Sequence, residues 1–142
     1  MTTTTTTNPG PAVTVSAHPS NVSTVQALRL LAVYKGVNAN ALGDTVLPIV
    51  NSSSYSVKNV VFTNASVSLT TAEAGLFTAP AAAGTAIVAD AALSALTGST
   101  VVSERTVAAT AAQTGQNLYI NVSAAQGAAA TFDAYVYGYD FS

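Results

Sequence analysis

The predicted fold depends most on the stretch Val57-Lys-Asn-Val-Val-Phe-Thr-Asn-Ala-Ser-Val-Ser-Leu-Thr-Thr71. Its first half is a compact apolar run rich in β-branched residues, and its second half alternates Ala65, Val67 and Leu69 with serine and threonine. Strict alternation places successive side chains on opposite faces of a strand. Asn64, between the halves, tolerates a turn or a left-handed backbone. We therefore predict two strands, or one strongly bent strand, at the centre of a β-sandwich.

The sequence on both sides of this stretch predicts further short strands separated by turns. From Val25 to Val37 the apolar spacing fits a helix or a strand, and the ending Ala32-Val33-Tyr34 before Lys35-Gly36 favours a strand. Pro48 places the following strand at a sheet edge or a bulge. One short helix is predicted at residues 89–96. The other predicted strands cover residues 45–50, 76–78, 85–89, 99–110, 117–123 and 131–140.

These elements predict an all-β fold: a jelly-roll-like antiparallel β-sandwich of about seven or eight short strands with one short helix. Residues 25–142 form the sandwich domain, and residues 1–24 form an extended arm rich in threonine and proline. Pro9, Pro11 and Pro19 exclude a helix in the arm. Such a segment cannot form a core by itself. We infer that the arm runs along a partner or a neighbouring copy.

The composition of the chain excludes several classes of function. Only 7% of the 142 residues are charged, far below the roughly 25% of an average domain, and a surface of small neutral side chains suits a protein covered by another protein. The basic residues are scattered, which predicts neither nucleic-acid binding nor a polybasic membrane patch. No apolar run approaches the ~20 residues of a membrane span. The chain contains no cysteine, and its first residues lack the features of a secretory signal, so we expect synthesis in the cytoplasm.

The residues that could carry chemistry are few and do not form a recognisable site. The one histidine, His18, lies in the arm without cysteine or a nearby carboxylate, which fits no known type of zinc site. The six acidic residues form no distinctive pair, and Asp44 and Asp90 are interpreted as a turn residue and a helix cap. We predict that the chain is not an enzyme and has no cofactor and no metal.

A row of tyrosines on the last predicted strand is the most distinctive side-chain pattern. Alternation predicts a core face and an opposite face; the first consists of Phe132, Ala134, Val136 and Gly138, and the second of Asp133, Tyr135, Tyr137 and Tyr139. Such a row is either half-buried sheet surface or a contact with another protein chain, because tyrosine combines a large area with a low entropy cost. Stacking on sugars is a third reading, less favoured because the chain has no tryptophan.

The run Val60-Val-Phe-Thr-Asn-Ala-Ser-Val-Ser-Leu-Thr-Thr-Ala72 resembles a family of structural proteins of tailed bacteriophages. The pattern continues through Gly75-Leu-Phe-Thr78, Gly84-Thr-Ala-Ile-Val-Ala89, Ser94-Ala-Leu-Thr97, Leu118-Tyr119, Gln126-Gly-Ala-Ala-Ala-Thr131 and Tyr135-Val-Tyr-Gly-Tyr139. It covers roughly Thr45 to the C-terminus and leaves the arm out. The resemblance implies a capsid cement or decoration protein with a jelly-roll-like fold on the outer surface of the head.

The predicted function is therefore that of a virion structural protein that binds the outer face of the major capsid protein shell and stabilises the head. Copies of the chain are expected to associate, with a trimer favoured over a dimer. The alternative is a carbohydrate-binding or receptor-binding β-sandwich module of a virion or cell surface. The residues predicted at a partner interface are Thr4, Pro9, Pro11, Val13, His18, Tyr135, Tyr137 and Tyr139.

Overall fold

A computed structural model describes residues 28–142, which form eight strands in two antiparallel sheets. The fold is thus all-β and fits a β-sandwich. The strands are β1 (Arg29–Asn38), β2 (Gly43–Pro48), β3 (Tyr55–Thr63), β4 (Glu73–Ala79), β5 (Ala83–Ala92), β6 (Val102–Arg105), β7 (Asn117–Ala124) and β8 (Thr131–Asp140).

The strand order pairs the two halves of the chain with each other. One sheet has the order β1-β8-β3-β6 and the other has the order β2-β7-β4-β5. The first strand pairs with the eighth, the second with the seventh, the third with the sixth and the fourth with the fifth, in each case antiparallel. Each strand of the first half of the chain is thus hydrogen-bonded to a strand of the second half.

The core lies between the sheets and receives the inward side chains of alternate residues. Phe62 on β3 and Phe132 on β8 are fully buried, with ring centroids 5.0 Å apart, a spacing at which aromatic pairs attract each other. Tyr55 is also fully buried, and its hydroxyl donates to the Gly115 carbonyl oxygen at 2.8 Å. Burial raises the pKa of Tyr55 to about 12. The Tyr55 hydroxyl therefore stays neutral and hydrogen-bonded within the core.

The first half of the opening stretch is a strand as predicted, and the second half is not. β3 ends at Thr63, and Asn64 follows with a φ of 55°, which confirms a left-handed backbone at this position. Residues 64–72 form no strand. The Ser66 amide donates to the Thr131 carbonyl and the Leu69 amide to the Leu96 carbonyl, so this segment crosses from one sheet to the other. Leu69 is fully buried where the segment passes between the sheets. The alternation of apolar and polar residues here therefore does not mark the two faces of a strand.

The helix predicted at residues 89–96 is wrong, and no helix occurs between residues 28 and 142. β5 instead continues to Ala92, which pairs with Glu73 of β4. Leu93 and Leu96 then turn into the core, and the Leu93 amide donates to the Ala72 carbonyl. Pairing with β4 outweighs the weak helix propensity of a short alanine-rich segment.

Several other strand predictions are confirmed. β1 is a strand where the sequence also allowed a helix, and β8 has the predicted bounds, residues 131–140. Pro48 ends β2, which is an edge strand as predicted. The strand predicted at residues 99–110 is shorter, because only Val102–Arg105 pairs with β3.

Candidate functional site

The tyrosine row of β8 lies on the outer surface of the β1-β8-β3-β6 sheet. Phe132, Ala134 and Val136 are buried against the opposite sheet, which confirms the predicted core face. Tyr135, Tyr137 and Tyr139 alternate with them and are partly buried. Because β8 lies between β1 and β3, the tyrosine rings have neighbours on both sides.

Cross-strand pairs extend the row into a broader apolar surface, since residues directly opposite each other share one face of a sheet. Tyr135 is opposite Val33 of β1 and Val61 of β3. Tyr137 is opposite Leu30 and Asn59. Leu30 and Val33 remain 42% and 37% exposed. We call this surface the tyrosine face; it consists of Leu30, Val33, Asn59, Val61, Tyr135, Tyr137 and Tyr139. Glu104 of β6 borders it, opposite Val61 and with its Oε1 3.4 Å from Asn59 Nδ2.

Gly138 allows the strands beneath the tyrosine face to approach closely. A Cβ added at Gly138 would clash with the Ser56 carbonyl oxygen of β3 and would lie 2.6 Å from Leu31 Cδ1. No real side chain tolerates such contacts, so the glycine between Tyr137 and Tyr139 is required by packing. Gly138 thus keeps β8 in close contact with β3 beneath the tyrosine face.

Asp133, predicted to share the tyrosine row, is instead a buried structural residue. Its Oδ1 accepts a hydrogen bond from the Gly36 amide at 2.8 Å, and its Oδ2 accepts one from Asn64 Nδ2 at 3.1 Å. Gly36 has a φ of 78° at an irregularity in β1, so the carboxylate satisfies a backbone group that the sheet leaves unpaired. The tyrosine face consequently has no carboxylate in its row on β8.

One ion pair lies at the end of the tyrosine face, where β1 begins and β8 ends. Arg29 Nη1 is 3.0 Å from Asp140 Oδ2. Asp140 Oδ1 also accepts hydrogen bonds from the backbone amide and hydroxyl of Ser142 and from the Ser52 hydroxyl. The Ser142 and Ser52 hydrogen bonds, followed by the charge of Arg29, lower the pKa of Asp140 to about 2. The carboxylate therefore stays ionised and holds the two strand ends together.

The outer surface of the other sheet carries a narrower apolar stripe that the sequence reasoning missed. Val46, Tyr119, Phe77 and Ala86 are in register across its four strands. Phe77 is only 7% exposed, and an added Cβ at Gly75 would lie 2.8 Å from its Cε2, so the ring covers the glycine. The inward alternation of Leu118, Ile120 and Val122 was the signal that would have placed Tyr119 outward.

The acidic residues near this stripe are engaged in local structure. Asp44 accepts hydrogen bonds from the Ala81 amide at 2.7 Å and from Asn121 Nδ2 at 2.8 Å; it is not a turn residue as predicted, because it lies within β2 and pairs with Asn121 of β7. Asp90 accepts from the Ser123 hydroxyl; it is not a helix cap, because it lies within β5. No group of three acidic or histidine side chains that could hold a metal ion occurs in the part of the chain that the structure describes.

A shallow depression of about 320 Å³ lies between β5 and β6 and is lined by Val88, Ala89, Glu104, Arg105, Thr106 and Ala108. Arg105 lies 5.4 Å above the Phe62 ring and donates to the Ala91 and Ala92 carbonyl oxygens. Burial lowers the pKa of Arg105, and the charge of Asp90 opposes this effect. The guanidinium thus joins the two sheets at this corner.

The predicted interface residues of the arm, Thr4, Pro9, Pro11, Val13 and His18, lie outside the described residues. From Leu28 to Ser142 there is no helix long and apolar enough to cross a membrane. Comparison of the chain with protein-family models, with curated proteins and with solved structures finds no match.

Proposed function

We propose that this chain is a virion structural protein: a capsid cement protein that binds the outer face of a major capsid protein shell and stabilises the head. The observation that carries the proposal is the tyrosine face, an aromatic and apolar surface that is bordered by the Glu104 carboxylate and has no covering element among residues 28–142. Aromatic side chains are enriched, and charged side chains depleted, at the centre of protein interfaces.

The size of the tyrosine face supports attachment in many copies. The tyrosine face spans five residues of β8, from Tyr135 to Tyr139, which is about 17 Å, and the three strands that carry it are together about 14 Å wide, which gives an area of roughly 240 Å². A standard interface buries about 800 Å² on each partner. One such face binds modestly by itself, and contacts repeated on a symmetric shell gain strength through avidity. This agrees with the predicted association of copies, for which a trimer is favoured over a dimer.

The strand order supports the finer proposal that the sandwich is a jelly roll. Eight strands that pair first with eighth, second with seventh, third with sixth and fourth with fifth suit an antiparallel hairpin rolled into two sheets. Jelly rolls occur in viral capsid proteins and in lectins. The resemblance of Val60–Ala72 to tailed-phage decoration proteins favours the first of these.

The proposal is tested by comparing Tyr137→Arg with Tyr119→Arg. Both tyrosines are partly buried, point outward and lie on interior strands of their sheets. Tyr137→Arg should weaken binding to phage head shells assembled without the protein by about tenfold or more, because it places a charge at the centre of the interface. Occupancy is measured by co-sedimentation and image reconstruction of decorated heads.

Equal binding by both variants would remove the tyrosine face from the interface, and no binding by the unaltered chain would overturn the proposal. Thermal unfolding of each variant separates lost binding from lost folding. If a glycan array retains the unaltered chain and loses the Tyr137→Arg variant, the alternative of a carbohydrate-binding module replaces the cement function.

A further inference from the structure

The chain segment outside the described residues joins the sandwich beside the tyrosine face. β1 is an edge strand and pairs with β8. Its first residues, Arg29 and Leu30, lie at one end of the tyrosine face, and the preceding residue, Leu28, is half exposed. The segment of residues 1–27 is therefore attached to the sandwich at the border of this surface.

The chemistry of this segment matches the tyrosine face. Residues 2–27 contain no Asp, Glu, Lys or Arg, and the segment contains Val13, Val15 and Val22 among threonines and prolines. A neutral chain loses little hydration energy when it covers a neutral surface, whereas a charged chain would lose much more. The β-branched side chains also fit the pleated surface of a sheet.

The segment is long enough to cross the tyrosine face after reversing its direction. Twenty-seven residues reach up to about 90 Å when extended, and the tyrosine face, from Tyr135 to Tyr139 of β8, is about 17 Å long. A reversal near Pro19-Ser-Asn21 would leave about 18 residues, or roughly 60 Å, for the crossing.

We propose that in the chain without a partner, residues 1–27 fold back over the tyrosine face of the same molecule. Attachment to β1 gives the segment an effective concentration in the millimolar range, which favours it over a second copy at ordinary protein concentrations. With a net charge of −2 and 7% charged residues, the chain has little charge repulsion to prevent association through an uncovered aromatic surface.

The other surfaces fit this segment less well. The stripe on the opposite sheet is one row wide, and its central ring, Phe77, is already buried against Gly75. The depression between β5 and β6 is closed at the corner by Arg105. Among the surfaces formed by residues 28–142, the tyrosine face best combines breadth, exposed apolar area and proximity to Leu28.

A nitroxide attached to the segment tests the proposal in the full chain. The protein contains no cysteine, so Ala17→Cys introduces a single labelling site. In a ¹⁵N-labelled sample, the nitroxide should broaden the amide signals of Leu30, Val61 and Tyr137 and should leave those of Val46 and Tyr119 on the opposite sheet sharp. Chemical reduction of the nitroxide restores all signals and serves as the reference.

A mixed sample distinguishes the same molecule from a second copy. When spin-labelled protein without ¹⁵N is added to ¹⁵N-labelled protein without the nitroxide, broadening should be lost. Broadening that persists in the mixture would assign the tyrosine face to a second copy and overturn the proposal. Broadening spread equally over both sheets, or none, would also overturn it.

A second full-chain variant tests the chemistry of the contact. Val13→Asp combined with Val15→Asp puts two carboxylates into the segment and should abolish the selective broadening from the label at residue 17. Unchanged broadening would contradict an apolar contact by these valines. All of these measurements use the isolated protein, so they do not depend on whether it binds a capsid shell.

Discussion

At the scale of single residues, Gly138 sets how closely β8 and β3 approach. Gly138→Ala would drive a methyl group into the Ser56 carbonyl and Leu31, so we expect it to lower the free energy of unfolding by about 3 kcal/mol or more. Urea denaturation measures the loss. Gly98→Ala is the matched control: nothing lies within 4 Å of its added Cβ, and its effect should stay within about 0.5 kcal/mol. Equal changes in the free energy of unfolding for Gly138→Ala and Gly98→Ala would show that β8 and β3 move apart readily to admit the methyl group.

Asp140 should make stability depend on pH in the acid range. Its pKa in the folded protein is about 2, below the ordinary value of 3.8, so the unfolded chain binds the proton more tightly. The stabilisation is complete above pH 3.8 and is lost as the pH falls towards about 2. Asp140→Asn should flatten the dependence of the melting temperature on pH over this interval. An unchanged slope in the variant would place the acid sensitivity elsewhere.

At the scale of elements, the β4–β5 hairpin has an unfavourable turn. Ala81 and Ala82 have φ values of 60° and 57°, and two successive positive φ values are typical of hairpin turns that favour Asn-Gly. Since a left-handed backbone costs an alanine about 1–2 kcal/mol, Ala82→Gly should raise the free energy of unfolding by about 1 kcal/mol. Ala83→Gly is the control, because Ala83 lacks a positive φ and should lose stability. Chemical denaturation measures the free energy of unfolding of both variants. A loss of stability in Ala82→Gly would contradict the turn assignment.

Local sequence patterns predict a strand of this fold correctly where pairing with a neighbouring strand favours the same structure as the pattern. Alternation in residues 131–140 places every core residue of β8 correctly, and Asn64 marks the end of β3. The pattern at Ala65–Thr71 looks equally regular, yet its hydrogen bonds go to Thr131 and Leu96 in different parts of the fold. The error at residues 89–96 has the same origin, because only the pairing of β5 with β4 decides against a helix there.

At the scale of the whole molecule, the candidate site is only partly predictable from the sequence. The tyrosine row follows from the period of β8 alone. Leu30, Val33 and Val61 join it through strand register, which bulges in β1 and β3 shift by a residue. A local pattern carries no information on such shifts. The width of the tyrosine face follows only from the pairing of the strands in the folded sheets. The choice of Tyr137→Arg and Tyr119→Arg as a matched pair depends on that pairing as well.

The ion pair between Arg29 and Asp140 has a mechanical consequence. β1 begins beside the end of β8, and the two strands are antiparallel. A force that pulled Leu28 and Ser142 in opposite directions would therefore load the hydrogen bonds between these strands one after another, from that end onward. The first contact to bear the load is the Arg29–Asp140 ion pair. A segment anchored outside the sandwich would thus pull on the domain through this one charged contact, and its rupture would set the force at which β1 begins to peel away.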